Sequence, residues 1–504
     1  MRIRLTRMIP QKWRDAEMIR RIIPFMGMAL LFTGCSLAPQ YSRPQAPVPA
    51  GLPDGPAYEN IKATSSAPAA CDIPWREFFT DNRMQRVIET ALENNRDLRV
   101  AALKVERARA LYRIQRSELL PKVYGDGSGG KQRLPADLSG TGRSETFEQY
   151  SVGLGVASWE IDFFGRIRSL KQKALQEFLS TEQARHAAEI LLVSEVANAY
   201  LSLAADREDL NLALSTLDSQ KGSYDLIERR YEVGVAQMLE LRQAQTRVDA
   251  ARVDVALYTQ LAARDENALN LLAGSRVEPE LLPDSLDDVR PPKDISFTIS
   301  SEVLLTRPDV LQAENFLKSA NANIGAARAA FFPRISLTTA FGTASGELSG
   351  LFKAGSASWN FAPQIGLPIF DPGVWSQLKV SKVERKIAVA EYEKAIQTAF
   401  REVADALAQR GTVEEQLEAQ SSLVDAAAET CRLSNALYTK GIDSYLGVLD
   451  SQRSLYASRQ GLISVRLARF TNLVKLYAVL GGGASSTVVS YNNSGSDFDT
   501  EKSG

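Results

Sequence analysis

The chain has 504 residues, with 59 Lys and Arg against 60 Asp and Glu and a formal net charge of −1. That balance gives no electrostatic ground for a nucleic-acid partner, and the length suffices for two or three ordinary domains. The three cysteines, Cys35, Cys71 and Cys431, are too few and too scattered for a disulfide framework or a metal motif.

Residues 1–21 carry seven Lys or Arg against two acids, and residues 22–33 (IIPFMGMALLFT) are uncharged. These are the basic and short apolar regions of a secretory signal. A permanent membrane helix needs ~20 apolar residues. Met18 is an alternative start to Met1. The stretch LLFTGCSLAPQ resembles the bacterial lipobox, with Phe32 standing where Leu is usual. That resemblance implies removal of residues 1–34 and acyl chains on Cys35, the mature N-terminus. Ser36, rather than Asp, implies delivery to the outer membrane. An ordinary signal peptide cut elsewhere is the alternative. Residues 35–83 then read as a lipid-anchored extended segment, and Cys71 and Cys431 as structurally neutral. Beyond residue 35 no uncharged run approaches the length of a membrane helix. A membrane crossing would need strands in a closed barrel.

The rest of the chain is written twice. RYEVGVAQMLELRQAQ (230–245) aligns with LYTKGIDSYLGVLDSQ (437–452), pairing Tyr231 with Tyr438, Gly234 with Gly441, Leu239 with Leu446 and Gln245 with Gln452 at a spacing of 207. Gly274 and Gly481 keep that spacing, Gly165 and Gly373 stand 208 apart, and Pro121 and Pro333 stand 212 apart. We read a tandem duplication over 84–275 and 300–483, with a linker at 276–299 and a polar, disordered tail at 484–504. Copies of this size are not a short-period solenoid.

Each copy reads helix, strand, loop, strand, long helix, tight turn, long helix. Arg83–Leu120 is rich in Ala, Leu, Arg and Glu, which favours one helix ending before Pro121. A glycine-rich strand follows around Lys122–Arg133. In YSVGLGVASW, Tyr150, Val152, Leu154 and Val156 alternate with Ser151, Gly153, Gly155 and Ala157, a period of two. Ile335, Leu337, Thr339 and Phe341 repeat the pattern, as do Trp359, Phe361, Ile365 and Leu367. Arg166–Glu232 contains one glycine, Gly222, and Ser376–Lys440 only Gly411. At 1.5 Å per residue each run makes a helix of roughly 100 Å, a length typical of coiled coils. Leu210, Leu214, Leu217, Tyr224 and Tyr231 form one apolar seam; Tyr392, Ile396, Phe400, Val403 and Leu407 form another. Such seams need partner helices. Gly234 and Gly441 break the helices where a left-handed residue is useful, giving two antiparallel hairpins with tips near 233–238 and 440–445.

Four strands of about ten residues suit a bilayer crossing, but four cannot close a barrel, and an open edge in lipid is prohibitive. Two chains give eight strands, which side chains would fill; three give twelve and leave a lumen. The blocks GCSLAPQYSRPQAPVP, WREFFTDNRMQRVIETALENNRDLR, SWEIDFFGRIRSLKQKALQ, RYEVGVAQMLELRQAQ and REVADALAQRGTVEEQLEAQ resemble the TolC-like outer-membrane factors. More narrowly, they resemble the lipoprotein branch serving RND-type multidrug efflux pumps. The likeness covers about residues 35–483. It implies an α+β, mainly α fold: a homotrimer with a 12-stranded transmembrane β-barrel continued by a 12-helix periplasmic α-barrel. It also implies a periplasmic adaptor (membrane fusion) protein at the hairpin tips and an inner-membrane RND-type pump.

Under that resemblance Tyr438, Leu446, Asp450 and Arg453 correspond to the constriction at the closed periplasmic end. Leu446, Asp450 and Arg453 fall at i, i+4 and i+7 on one helix face, so three copies would bring three such faces together. The other reading of Asp450 and Arg453 is a solvated i,i+3 pair, worth only a few tenths of a kcal/mol. Gly234, Val235, Ala236, Gly441, Ile442 and Asp443 are the adaptor-docking candidates, with turn chemistry alone as the other reading. Gly125, Gly127 and Gly130 spell G-x-G-x-x-G, but no helix follows, as a dinucleotide site would require. His186, the lone histidine, sits in a long helix. No P-loop, H-E-x-x-H or G-x-S-x-G is present, so no enzyme, cofactor or metal is expected. The function expected is a passive outer-membrane efflux duct. The alternatives are a protein-secretion or metal-efflux duct, or a poreless coiled-coil tether, which would need no strands. Only 7 Met occur, most near the N-terminus, which counts against metal.

Overall fold

The computed structural model describes residues 37–51, 53–59, 70–293, 295 and 301–483. The expected signal segment, both candidate start residues, Cys35 and the tail at 484–504 lie outside the described residues. The chain divides into two compact units. One holds the chain up to Pro44, Arg107–Leu179 and Asn315–Ala390; the other holds Gln45–Glu106, Ser180–Glu314 and the chain from Glu391.

The first unit is built on a four-stranded antiparallel sheet in the order β1-β2-β3-β4, from β1 (Val123–Leu134), β2 (Glu145–Glu160), β3 (Arg334–Ser345) and β4 (Ala357–Gly366). The period-two pattern decides its faces. Gly125, Leu154, Phe341 and Trp359 are direct cross-strand neighbours, as are Asp126, Gly153, Gly342 and Ser358. Partners point the same way and successive residues opposite ways. One face is therefore apolar and the other small or polar. The apolar face is uncovered: Leu154 is 61%, Phe341 71% and Trp359 78% exposed. Small residues are required on the other face, because a Cβ at Gly342 would stand 2.2 Å from the Val152 carbonyl oxygen. A bulge between Val156 and Trp159 ends the alternation of β2. There Ser158 adopts φ 50°, and its N–H donates to Thr338 Oγ1 at 3.1 Å. β1 and β4 each keep one unpaired edge.

The G-x-G-x-x-G stretch lies within β1, where Gly125, Gly127 and Gly129 oppose Leu154, Val152 and Tyr150. In the same unit the N-terminal strap is held by side chains of a helix of the second copy. Asn321 Nδ2 donates to Pro39 O at 2.7 Å and Arg328 Nη1 to Leu37 O at 3.0 Å.

Eight α-helices are described: α1 (Trp75–Phe78), α2 (Asn82–Asn94), α3 (Arg96–Ser117), α4 (Arg166–Glu232), α5 (Met238–Ala273), α6 (Pro308–Ala329), α7 (Pro372–Thr439) and α8 (Tyr445–Val479). The order α3-β1-β2-α4-α5 recurs as α6-β3-β4-α7-α8. The single helix expected over Arg83–Leu120 is two helices. Asn95 breaks it in an extended conformation (φ −60°, ψ 130°). Its Nδ2 donates to Leu272 O and its Oδ1 accepts from Leu98 N, both at 2.9 Å. A tertiary bond thus turns one residue from helix interior into helix cap.

In the second unit the seam on α7 is buried: Tyr392, Ile396, Val403 and Leu407 are all within 1% of full burial. The seam expected on α4 is not; Leu214 is 46% exposed, and the buried line runs instead through Val196, Tyr200, Leu203 and Ala213. Among the described residues α4 alone has a window apolar enough by composition to cross a membrane, yet half of that window is buried in the protein, as in a core helix. Near the chain ends Phe78 stacks on Tyr477 at 4.1 Å, and Tyr477 OH donates to Ile73 O at 2.8 Å. Arg307 is almost wholly buried. It is satisfied by Asp309 at 2.7 Å, Glu402 at 2.8 Å and Val479 O at 2.8 Å.

Candidate functional site

Both hairpin turns are built alike. At the first, Gly234 N–H donates to Tyr231 O at 2.9 Å and Val235 N–H to Arg230 O at 2.8 Å. At the second, Gly441 N–H donates to Tyr438 O at 2.9 Å and Ile442 N–H to Leu437 O at 3.0 Å. This pair of bonds closes a Schellman cap, which needs a left-handed residue. Gly234 and Gly441 supply it, with φ of 75° and 72°. Each helix can therefore stop and reverse within a few residues, leaving Val233, Val235, Met238, Leu239, Ile442 and Leu446 exposed at the turns.

Just behind the turns the two hairpins meet in one apolar cluster. Ile227, Ala236, Leu241 and Ala244 come from the first, and Tyr445, Val448 and Leu449 from the second. Ala236, grouped by sequence with the docking residues, is 8% exposed. Its methyl faces the cluster, so it braces the turn from inside and offers no contact surface. Tyr438 packs against the cluster's edge, its ring 5.2 Å from that of Tyr445. Arg230 Nη1 donates to Tyr438 OH at 2.9 Å, and its guanidinium lies 5.3 Å from the ring centroid. Burial raises the Tyr438 phenol above its usual range, and pushes Tyr445 up to about 12. Tyr445 OH is buried with no hydrogen-bond partner. One layer deeper, Gln220 Nε2 donates to Gln452 Oε1 at 3.1 Å, again joining the two hairpins.

Leu446 is 63% exposed on the outer side of this cluster. Asp450 and Arg453 form an ion pair along α8, and both side chains are largely in solvent. Tyr438, Leu446, Asp450 and Arg453 thus fall at the same end of one hairpin, with Tyr438 locked inward and the other three displayed. Asp443 Oδ1 accepts from Ser444 N at 2.7 Å and shapes the start of α8. Arg230, which sequence reasoning passed over, is the residue that ties Tyr438 across the hairpins. Its only sequence signal was a basic residue at the end of a helix.

The remaining candidates are structural. His186 is partly buried in α4, and burial together with Arg185 lowers its pKa. Cys71 and Cys431 are not in a disulfide, and the second is buried. No group of three His, Cys, Asp or Glu able to hold a metal occurs among the described residues.

Two long helical hairpins and an antiparallel sheet with one uncovered apolar face define a class: the TolC-like α+β channel subunit, whose partial sheet is consistent with a barrel formed only on assembly. The family profile described as outer membrane efflux protein matches residues 87–275 and 299–482. The chain belongs to that family. It is similar to the toluene efflux pump outer membrane protein TtgC of Pseudomonas putida, 47% identical over 467 residues, 92% of this chain and 96% of that protein. It is also similar to the cation efflux system protein CusC of Escherichia coli O157:H7, 42% identical over 468 residues, 92% and 98% of the two chains. Among solved structures, a membrane protein from Pseudomonas aeruginosa matches with a TM-score of 0.82 at 41% identity, covering 89% of this chain and 100% of that one. The open state of the Neisseria gonorrhoeae MtrE outer membrane channel gives 0.80 at 37% identity, covering 89% and 99%. The protein is accordingly an outer-membrane channel component of RND-type tripartite efflux systems, conducting small molecules, and not an enzyme.

Proposed function

We propose that three copies of this chain close twelve strands into one transmembrane barrel and twelve helical segments into a periplasmic tube. The observation that carries this is the sheet itself. Its apolar face is bare, its other face is small or polar, and both edges are unpaired. In lipid such edges must be paired. Twelve strands leave an open lumen, whereas eight would be filled by side chains. The family function adds the direction of flow, from an inner-membrane pump through a periplasmic adaptor to the exterior.

The adaptor docks on Gly234, Val235, Gly441, Ile442 and Asp443, with Ala236 as the internal brace. The second hairpin carries the gate. Leu446 narrows the entrance, Asp450 and Arg453 set its charge, and Tyr438, held by Arg230, keeps the hairpin closed. Opening requires that the Arg230–Tyr438 bond and the shared cluster yield. Acylation of Cys35 fixes the mature N-terminus in the outer membrane.

For cargo, the 47% identical toluene-efflux relative supports aromatic solvents and other amphiphiles, and the 42% identical cation-efflux relative supports metal ions as a second reading. Deleting the gene and measuring accumulation of dyes, antibiotics, solvents and metal ions separates them. Raised amphiphile levels with unchanged metals are expected; the reverse pattern establishes the metal reading. Native mass spectrometry of the detergent-extracted protein should give three copies carrying an acylated N-terminus, and any other stoichiometry contradicts the barrel.

A further inference from the structure

Well behind the first tip, α4 and α5 bury carboxylates against each other. Asp206, half-buried, and Asp209 stand about one turn apart on α4, and Asp265 faces Asp206 from α5. Asp209 is 8% and Asp265 9% exposed. Asp209 Oδ1 is buried with no hydrogen-bond partner. The Asp206 carboxyl stands against that of Asp265, which raises its pKa. Two carboxyls can hydrogen-bond to each other only when one of them carries a proton, since ionised carboxylates are acceptors only.

The surroundings do little to neutralise the charge. Asp206 is faced by Asp265 and by Arg264. Arg264 reaches Asp265 at 3.5 Å, but its side chain is mostly in solvent. Asp209 is faced by Asp206 and Glu208 from its own helix, by Tyr258 from α5 and by Tyr456 from α8. Asp254 of α5 stands near both tyrosines. Glu208 is already engaged, accepting from Arg466 of α8 at 2.6 Å and from Leu286 N at 2.9 Å. Gln460 of α8 donates to Tyr258 OH at 2.7 Å.

The second copy of the repeat has no acid at these three positions. At the spacing of 207, Asp206, Asp209 and Asp265 correspond to Val413, Gln416 and Asn472. Val413 and Asn472 are buried, and Asn472 Nδ2 donates to Ala406 O at 2.8 Å. A neutral amide thus fills the buried place of Asp265 in the second hairpin, while Gln416, at the place of Asp209, is exposed.

We propose that Asp206 and Asp209, with Asp265 packed against Asp206, form a proton-binding joint in the first hairpin, which holds α4 against α5 and α8 when protonated and loosens as its protons leave. The joint lies within one protomer and needs no second copy. Burial, and then the Asp265 carboxyl beside it, raise Asp206 to about 6; burial, with Asp206 and Glu208 beside it, raises Asp209 to about 7. Between about pH 4 and about pH 7 the folded joint therefore holds protons that an opened segment releases. Its stability falls as pH rises through that window and levels off above it.

The test uses the full-length protein in detergent. Infrared difference titration should find a protonated carboxyl that ionises near neutral pH, absent in Asp209→Asn. Hydrogen exchange of peptides spanning residues 203–213, corrected for intrinsic rates, should show an opening equilibrium rising by up to about tenfold per pH unit for each proton lost. Asp209→Asn should flatten that slope, and Asp265→Asn, which copies the second repeat's Asn472, should lower it as well. No carboxyl titrating above about pH 5, where ordinary carboxylates are already ionised, would overturn the joint. An exchange slope shared by wild type and both variants would overturn it equally.

Discussion

The two hairpin tips have the same backbone and different chemistry. Each stops on a left-handed glycine with the same two capping bonds. Yet Met238 of the first tip is 45% exposed while its counterpart Tyr445 is 5% exposed at the heart of the shared cluster. Tyr231 is exposed; Tyr438 is held by Arg230. Gln243 and Thr246 stand where the second hairpin has the ion pair Asp450–Arg453. The same turn reverses a long helix in both repeats, while the buried tyrosine, the bond to Arg230 and the ion pair are placed on the second. Geometry repeated in both tips belongs to the fold, and the chemistry found in one is what the proposed gate draws on.

Local opening measured by hydrogen exchange at the tip peptides can break or sharpen that contrast. The largest effect is expected for Tyr445→Ala, which empties the cluster and should cost ~3 to 5 kcal/mol of local stability; Met238→Ala should cost well under half as much. Tyr445→Phe, which removes only an unpaired hydroxyl, should be neutral or stabilising. Gly441→Ala and Gly234→Ala should each cost about 1 to 2 kcal/mol, and their equality is the check: a clear difference would mean that the turns are not equivalent. Tyr438→Phe, which loses the Arg230 bond, should cost about 0.5 to 1.5 kcal/mol, while Tyr231→Phe should change nothing measurable. Smallest of all, Asp450→Asn should cost about 0.2 to 0.5 kcal/mol in one protomer, shrinking with added salt.

Much of this was legible in the sequence because it rests on local rules. The strands follow from alternation, the tips from glycines at a fixed spacing, and the duplication from their register. Sequence reasoning failed where a distant group decides. Asn95 breaks a helix because Leu272 O waits for its amide. The β2 bulge turns on Ser158, whose left-handed φ gives no signal a glycine would give. Ala236 looked displayable because it follows a turn, and is buried because the other hairpin packs there. The acids at 206, 209 and 265 are scattered along the chain, and only the neutral residues at 413, 416 and 472 mark them as unusual.

Single-channel conductance in planar lipid bilayers tests the central claim, that the gate belongs to the second hairpin. Asp450→Ala and Leu446→Ala should each raise conductance, while the repeat counterparts Gln243→Ala and Leu239→Ala should leave it at the wild-type level. Equal effects in both hairpins, or no change in either, would contradict the assignment of the latch to one copy.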